Sequence, residues 1–296
     1  MIVIFDKDIF VRYLSNYIPG RKNPELLNLI KIFENEKNKI VITDELIKRI
    51  ENQINSSPAL SNIFQQFLKN IFDDKRIIRS ESQEDEIKDL TQSYDSINVN
   101  ENKFIIVDKQ LSQLTDYDNY IHCTCIYSNI KKTNKCWLLF NLLAGDSVTV
   151  RYSDFRSNIQ IELFFNTVFD FIADTDEVYI LDSYCNFHRH TLFEPLKIKG
   201  KKINVFTSSA NKTSFDTTRL KNELKQHFGK TRTAVKFSSD KRLIHERTLK
   251  FRDVIIESNH DFAEINRANQ NWKLDVTICQ DLKGQIENKC LSYRSL

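Results

Sequence analysis

Apolar residues in the first half of the chain form short runs that are separated by longer amphipathic stretches. The runs MIVIF, KIVIT, KRIIRS, NKFIIVD and YIHCTCIY are typical of strands. The stretches PELLNLIKIFENEK, DELIKRIENQI, SPALSNIFQQFLKNIF and QEDEIKDLTQSY repeat apolar residues at helical spacing. Strands that alternate with helices of about a dozen residues indicate an α/β fold with a parallel sheet flanked by helices.

The second half also has an α/β pattern, and its last part carries the candidate chemistry. EVYILD and KKINVFTSS predict strands, and the stretch from Arg242 to Cys279 predicts paired strands with short turns. His245 and Arg247 are two positions apart, so on a strand they point to the same face. An imidazole beside a guanidinium suits a phosphate or a carboxylate ligand.

Length and composition indicate two globular domains. A chain of 296 residues with 41% apolar and 28% charged residues fits two domains, and LLAGDS around Leu139–Ser147 supplies a turn signal for the join. Six irregularly spaced cysteines without a secretory signal predict reduced thiols in the cytoplasm. No apolar run approaches the ~18–20 residues that a membrane span needs.

Positive charge is concentrated in the second half. The net charge is only +3, yet the segment from Lys197 to Arg252 holds 16 Lys or Arg against four Asp or Glu, an excess of 16 − 4 = 12. The first 140 residues hold 19 basic and 20 acidic residues. This imbalance favours a polyanionic partner, either a nucleic acid or an anionic membrane surface. A solvated lysine-rich surface is the alternative.

The C-terminal half resembles the phospholipase D-like C-terminal domain of MIT-domain proteins, which work with ESCRT at membranes. The resemblance rests on His245-x-Arg247, the strand Val254–Ser258, the turn NHDF, and the closing strand Trp272–Cys279. Upstream, EVYILDSY is similar to the family's strand and Asp-Pro-Tyr motif, with Asp182 and Tyr184 on that motif. The resemblance implies a phospholipase D-like α/β domain over residues 146–296.

This resemblance implies a phosphate-binding site made of His245, Arg247, Asp182 and Tyr184. Phospholipase D chemistry uses two H-x-K motifs, whereas this chain offers one, with Arg247 in place of lysine. Arginine favours phosphate recognition over catalysis. Two other interpretations stay open: hydrolysis at His245 in a homodimer, and a structural role in which Arg247 pairs internally with Asp182 or Glu246.

The N-terminal half, residues 1–140, resembles the PIN domain, a metal-dependent nuclease fold, although partly degenerate. Asp6 and Asp108 end strands, Asp8 follows two residues after Asp6, and Asp85 opens a helix. The resemblance implies Asp6, Asp85 and Asp108 as catalytic residues. It also implies Asp6, Asp8, Asp85 and Asp108 as ligands of Mg²⁺ or Mn²⁺, which would activate water. Arg49 stands near the place of the family's glutamate.

Together these patterns predict a metal-dependent PIN-like nuclease, acting on RNA more than DNA, joined to a polyanion-binding phospholipase D-like domain. Such a combination implies an effector of a prokaryotic defence or toxin system, with a partner protein from the same system or a second copy of the chain. The alternatives are a non-enzymatic adaptor that binds a membrane or a partner, and a phosphodiesterase that acts at a dimeric His245 site.

Overall fold

The chain divides into two compact units, Met1–Gly145 and Asp146–Leu296. The computed structural model describes all residues except 18–26, 98–101, 118, 124–133, 146, 171–176, 186, 188–191, 199–201, 210–212, 240–246, 252–253, 279–285, 287, 289, 291–292 and 294–296. The division follows Gly145, whose φ of 79° is left-handed. Glycine adopts this conformation at little cost, so it ends the preceding helix well.

The N-terminal unit contains a five-stranded sheet in which every strand pairing is parallel. Its strands are β1 (Ile2–Phe5), β2 (Lys39–Ile42), β3 (Ile77–Arg79), β4 (Lys103–Val107) and β5 (Tyr120–His122), in the order β3-β2-β1-β4-β5. Its helices are α1 (Lys7–Ser15), α2 (Leu27–Glu34), α3 (Asp44–Ile54), α4 (Pro58–Asp73), α5 (Glu86–Ser96) and α6 (Lys135–Leu143).

Polar side chains start four of the helices described in this unit. Asp6, Thr43, Ser57 and Asp85 each accept a hydrogen bond from a backbone N–H in the first turn of α1, α3, α4 and α5 respectively. Such caps satisfy N–H groups that have no partner inside the helix. At Asp6 and Thr43, which directly follow β1 and β2, the caps also fix the point at which a buried strand becomes a helix.

Phe10 lies at the centre of an aromatic cluster on one face of this sheet. Its ring contacts the rings of Phe5, Tyr13, Phe33, Phe64 and Phe67, at centroid distances between 4.8 and 5.5 Å. These rings come from β1, α1, α2 and α4, and Phe10 is fully buried. The cluster therefore holds three helices against the first strand.

The C-terminal unit contains a seven-stranded mixed sheet. Its strands are β6 (Val148–Arg151), β7 (Glu177–Asp182), β8 (Lys202–Ser208), β9 (Thr233–Ser238), β10 (Arg247–Phe251), β11 (Val254–Ser258) and β12 (Lys273–Ile278), in the order β6-β12-β11-β10-β7-β8-β9. Its helices are α7 (Asn158–Phe169), α8 (Phe193–Ile198) and α9 (Ser214–Phe228). The pairings among β7, β8 and β9 are parallel, whereas β10 is antiparallel to β7.

These features confirm the α/β fold class, with a helix-flanked parallel sheet in the first unit and a mixed sheet in the second. The strand expected at Trp272–Cys279 is β12, and that expected at Val254–Ser258 is β11. Of the predicted strand YIHCTCIY, the structure describes β5 and the residue after it. Within the described ranges, none of the helices combines the length and apolarity needed to cross a bilayer.

We expect Phe10→Ala to lower the free energy of unfolding by about 3–5 kcal/mol, because it removes a buried ring and leaves a cavity among the surrounding rings. Urea unfolding followed by circular dichroism measures this loss. Phe72→Ala is the matched control, since the Phe72 side chain on α4 is 67% exposed. Equal losses for the two variants would contradict the account of this core.

Candidate functional site

Asp6 joins three elements at the carboxyl end of the N-terminal sheet. It follows β1, and its Oδ1 accepts a hydrogen bond of 2.8 Å from the backbone N–H of Ile9, in the first turn of α1. Its Oδ2 accepts one of 2.9 Å from the backbone N–H of Asp108, which follows β4. Asp6 is buried, and both of its carboxylate oxygens accept hydrogen bonds from backbone N–H groups.

Asp6 holds its proton more tightly than an ordinary aspartate. Burial is the main cause and raises the pKa of this carboxyl from 3.8 to about 7, against the lowering effect of its two backbone hydrogen bonds. The negative charges of Glu86 and Asp8 add to the rise. Asp6 is therefore close to half protonated near neutral pH.

Asp108 is buried and lies against the guanidinium of Arg12, in the second turn of α1. Arg12 Nη2 donates a hydrogen bond of 3.0 Å to Asp108 Oδ2. Arg12 Nε lies 2.6 Å from Asp108 Oδ1, a close ionic contact that lacks hydrogen-bond alignment. Both oxygens of Asp108 are thus next to one guanidinium, which is a strong mode of pairing.

Lys7 contacts two further acids at this edge. Its Nζ lies 3.1 Å from Asp8 Oδ2 and 3.7 Å from Glu86 Oε2, and its backbone N–H donates to Glu86 Oε1 at 3.3 Å. Partial burial works against ionisation of Asp8, but hydrogen bonds from Gln53 and Lys7 outweigh it and lower the pKa of Asp8.

The sequence indicated Asp85 as the middle acid of this edge, and the structure places the neighbouring Glu86 beside Lys7. Asp85 precedes α5, and its Oδ1 accepts a hydrogen bond of 2.9 Å from the backbone N–H of Lys88, so its side chain caps the helix. Glu86, one residue later, contacts Lys7 and acts on the charge of Asp6. A capping pattern is visible in the sequence, and it could have assigned Asp85 to the helix and Glu86 to the edge.

A second buried acid of α5, Asp89, was not singled out from the sequence. Its Oδ2 accepts hydrogen bonds of 2.8 Å from Arg49 Nη1 and of 2.8 Å from Thr43 Oγ1. Its Oδ1 accepts one of 2.9 Å from the backbone N–H of Gln83. Arg49, at the position near which a glutamate was expected, is therefore the counter-ion of this carboxylate.

The carboxylates at this edge do not fit the expected Mg²⁺ or Mn²⁺ site. In the described part of the chain, no three His, Cys, Asp or Glu side chains form a group that could hold a metal ion. Asp6 is bonded to backbone N–H groups, Asp108 to Arg12, Asp8 to Lys7, and Asp85 to its helix. Divalent cations of this type need several carboxylate oxygens free to converge.

The second expected site lies where β10 begins beside the end of β7. Arg247 and Asp182 are directly paired across these antiparallel strands. Asp182 is fully buried, and its Oδ1 accepts a hydrogen bond of 3.0 Å from the backbone N–H of Tyr184. The structure thus brings together three of the four predicted phosphate-binding residues. His245, the fourth, lies outside the described residues.

Arg247 pairs with Asp261, which follows the β11 strand. Arg247 Nε donates a hydrogen bond of 2.5 Å to Asp261 Oδ1. The guanidinium carbon lies 5.6 Å from the centroid of the Tyr184 ring, and Tyr184 is 44% exposed. The sequence offered Asp182 or Glu246 as an internal partner for Arg247. The paired side chain is Asp261 because the turn after β11 brings it back beside the start of β10.

Comparison with known proteins gives no family assignment. No model of a protein family matches the chain, and no curated protein matches it. Several solved structures show partial similarity. Three of them are Nuc, a phospholipase D family member from Salmonella typhimurium, polyphosphate kinase from Porphyromonas gingivalis, and TrmBL2, an archaeal chromatin protein with a novel mode of DNA binding.

The three similarities are weak in sequence and in superposition. Nuc has 8% identity and a TM-score of 0.36 over 51% of this chain and 97% of Nuc. The kinase has 13% identity and a TM-score of 0.34 over 49% of this chain and 25% of its own. TrmBL2 has 11% identity and a TM-score of 0.33 over 51% of this chain and 54% of its own. Similarity at this level assigns neither an activity nor a site residue.

The raised pKa of Asp6 predicts a pH dependence of stability. Between the unfolded pKa of 3.8 and the folded pKa of about 7, the native state binds more protons than the unfolded state. The free energy of unfolding therefore falls as pH rises through this window, by on the order of 4 kcal/mol from this group alone. Urea unfolding across the window measures the slope.

Asp6→Asn is the matched test of that slope, because asparagine has the same shape and no titrating proton. The variant should lose the part of the fall that Asp6 contributes. Asp44→Asn, at an exposed acid that starts α3, should keep the parental slope. A parental slope in Asp6→Asn would show that another group is responsible.

Proposed function

We propose that the protein binds single-stranded nucleic acid, RNA more than DNA, through backbone phosphates held by the C-terminal unit. The observation that carries this proposal is the arrangement of Arg247, which Asp261 orients through Nε beside the exposed ring of Tyr184. Within the described residues, Nε of Arg247 donates to Asp261, and the two terminal nitrogens have no hydrogen-bond partner. Two parallel N–H groups on one guanidinium suit a phosphate.

Orientation of Arg247 before binding favours recognition. A long flexible side chain normally loses conformational freedom when it binds a ligand. Here the ion pair with Asp261, together with the Tyr184 ring, already restricts the guanidinium. Asp261 also cancels its charge locally, so the long-range attraction comes from the excess of 12 basic over acidic residues in the segment from Lys197 to Arg252.

Tyr184 favours a nucleic acid over a lipid surface as the source of phosphate. An exposed aromatic ring next to a phosphate-binding cation can stack against an unpaired base, and such stacking is worth about 1–3 kcal/mol per base. A lipid headgroup offers the phosphate without the base. The geometry therefore supports single-stranded nucleic acid, with an anionic membrane as the competing outcome.

We expect Arg247→Ala to weaken the binding of a fluorescent single-stranded RNA by about tenfold or more, because it removes a charge-assisted contact of about 1.5–3 kcal/mol. Fluorescence anisotropy with the full chain measures this affinity. The affinity of the parent should also fall steeply between about 50 and 200 mM salt, since several phosphates release counterions.

Arg219→Ala is the matched control, since Arg219 is an exposed arginine of α9 that pairs with Glu223. Its effect should be small. Tyr184→Leu should weaken RNA binding while leaving the binding of phosphatidylserine vesicles unchanged. Equal affinities for Arg247→Ala and the parent, or binding of vesicles without binding of RNA, would refute the proposal.

Metal-dependent RNA cleavage by the N-terminal unit is the second candidate function, implied by the PIN-like resemblance. The pairing of its acids with Arg12, Lys7 and backbone N–H groups counts against it. In its favour, the contact between the Asp6 carboxylate and the Asp108 backbone brings two strand-end acids side by side, as that function would require. With such an activity the protein would act as a PIN-like nuclease effector in a prokaryotic defence or toxin system, together with a partner protein or a second copy of the chain.

If the second candidate is correct, Asp108→Asn should abolish Mn²⁺-dependent cleavage of labelled RNA while leaving the fold intact. The substitution removes one negative charge and little volume, so any metal site would lose affinity. Gel electrophoresis of the products measures the activity. Asp44→Asn removes an exposed acid from the same unit as a control. Undiminished cleavage by Asp108→Asn would exclude this edge as the active site.

A further inference from the structure

We infer that Arg12 is the resident counter-ion of the acidic edge of the N-terminal sheet and takes the place of a divalent cation there. The acidic edge is the set Asp6, Asp8, Glu86 and Asp108. This inference concerns the N-terminal unit alone and is independent of phosphate binding at Arg247.

The contact between Arg12 and Asp108 is the central observation. The Asp108 side chain is only 5% exposed, yet both of its oxygens face a single guanidinium at 2.6 and 3.0 Å. A carboxylate buried to this degree loses its hydration and needs a compensating cation. Arg12 supplies that charge from α1, the helix whose first turn is capped by Asp6.

The other acids at the edge are also satisfied from within the chain. Both oxygens of Asp6 accept backbone hydrogen bonds, so metal binding there would compete with the cap of α1 and the link to β4. Lys7 Nζ lies 3.1 Å from a carboxylate oxygen of Asp8 and 3.7 Å from one of Glu86. Each carboxylate therefore has a fixed cationic or N–H partner before any ion arrives.

Asp89 is a second buried aspartate of this unit that is paired with an arginine. Its carboxylate is buried, and Arg49 contacts it at 2.8 Å with a side chain that is 15% exposed. Two arginines, one on α1 and one on α3, thus balance two buried acids near the carboxyl ends of the strands. Arginine is well suited to this role because it stays charged and forms several directed hydrogen bonds.

A divalent cation at this edge would have to displace Arg12 from Asp108. Arg12 could move into water, since 44% of its side chain is exposed. The ion would still meet Asp6 oxygens bound to the backbone and acids paired with Lys7. Arg12 and Lys7 thus offset part of the negative charge of the edge, and the pair of Arg12 with Asp108 holds α1 against the end of β4.

A double-mutant cycle combined with calorimetry tests this inference. The variants are Arg12→Gln, Asp108→Asn and the combination of both, with Arg79→Gln as the control at an exposed pair with Asp44. Urea unfolding gives the coupling between the two positions, and titration of MnCl₂ into the full chain gives metal binding. Arg12→Lys, which keeps a positive charge, provides a second variant if Arg12→Gln fails to fold.

The expected result is a lower unfolding midpoint for Arg12→Gln, partly recovered when Asp108→Asn is added, because the buried carboxylate no longer lacks its cation. The parent should give no saturable heat with millimolar MnCl₂. Saturable Mn²⁺ binding by the parent that Asp108→Asn abolishes would overturn the inference, and so would strictly additive effects of the two substitutions. Loss of RNA binding in Arg247→Ala has no bearing on either outcome.

Discussion

The hydrogen bond from the backbone of Asp108 to the carboxylate of Asp6 is the interaction on which the N-terminal edge depends. Because the same carboxylate caps α1, one buried side chain sets the end of β1, the start of α1 and the position of the residue after β4. Placement of α1 in this way brings Arg12 to Asp108. The ion pair is therefore a consequence of a backbone contact.

The charged residues at the sites of the two units differ in how far they are paired within the chain. At the N-terminal edge several acids lie close together, and Arg12, Lys7 and Arg49 each pair with at least one of them. In the C-terminal unit Arg247 belongs to a segment rich in basic residues, and among the described residues Asp261 orients it through Nε without occupying its terminal nitrogens. The described acids of the N-terminal edge thus all have internal partners, whereas Arg247 keeps donors that can bind a phosphate.

The sequence predicted the elements well and the pairings poorly. Alternation of apolar runs and amphipathic stretches was sufficient for the α/β class, and strand-end positions marked Asp6, Asp108 and Asp182. The partners of these acids depend on how a helix turns and where a loop returns, which periodicity does not encode. Arg12 and Asp108 are 96 positions apart, and Arg247 and Asp261 are 14 apart, so neither pair stood out. Glu86 did not stand out either, because the sequence pattern marked Asp85 at the start of the same helix.

In the proposals above, Arg247 binds phosphate, and Arg12 excludes a divalent cation from the acidic edge of the N-terminal sheet. A crystal structure of the full chain with a short oligoribonucleotide and Mn²⁺ tests both proposals most directly, with anomalous diffraction data collected at the X-ray absorption edge of manganese. The account predicts a backbone phosphate on the terminal nitrogens of Arg247 and no anomalous peak near Asp6 and Asp108, with Arg12 still on Asp108. A manganese peak between those two acids, with Arg12 displaced and the RNA bound there, would contradict it.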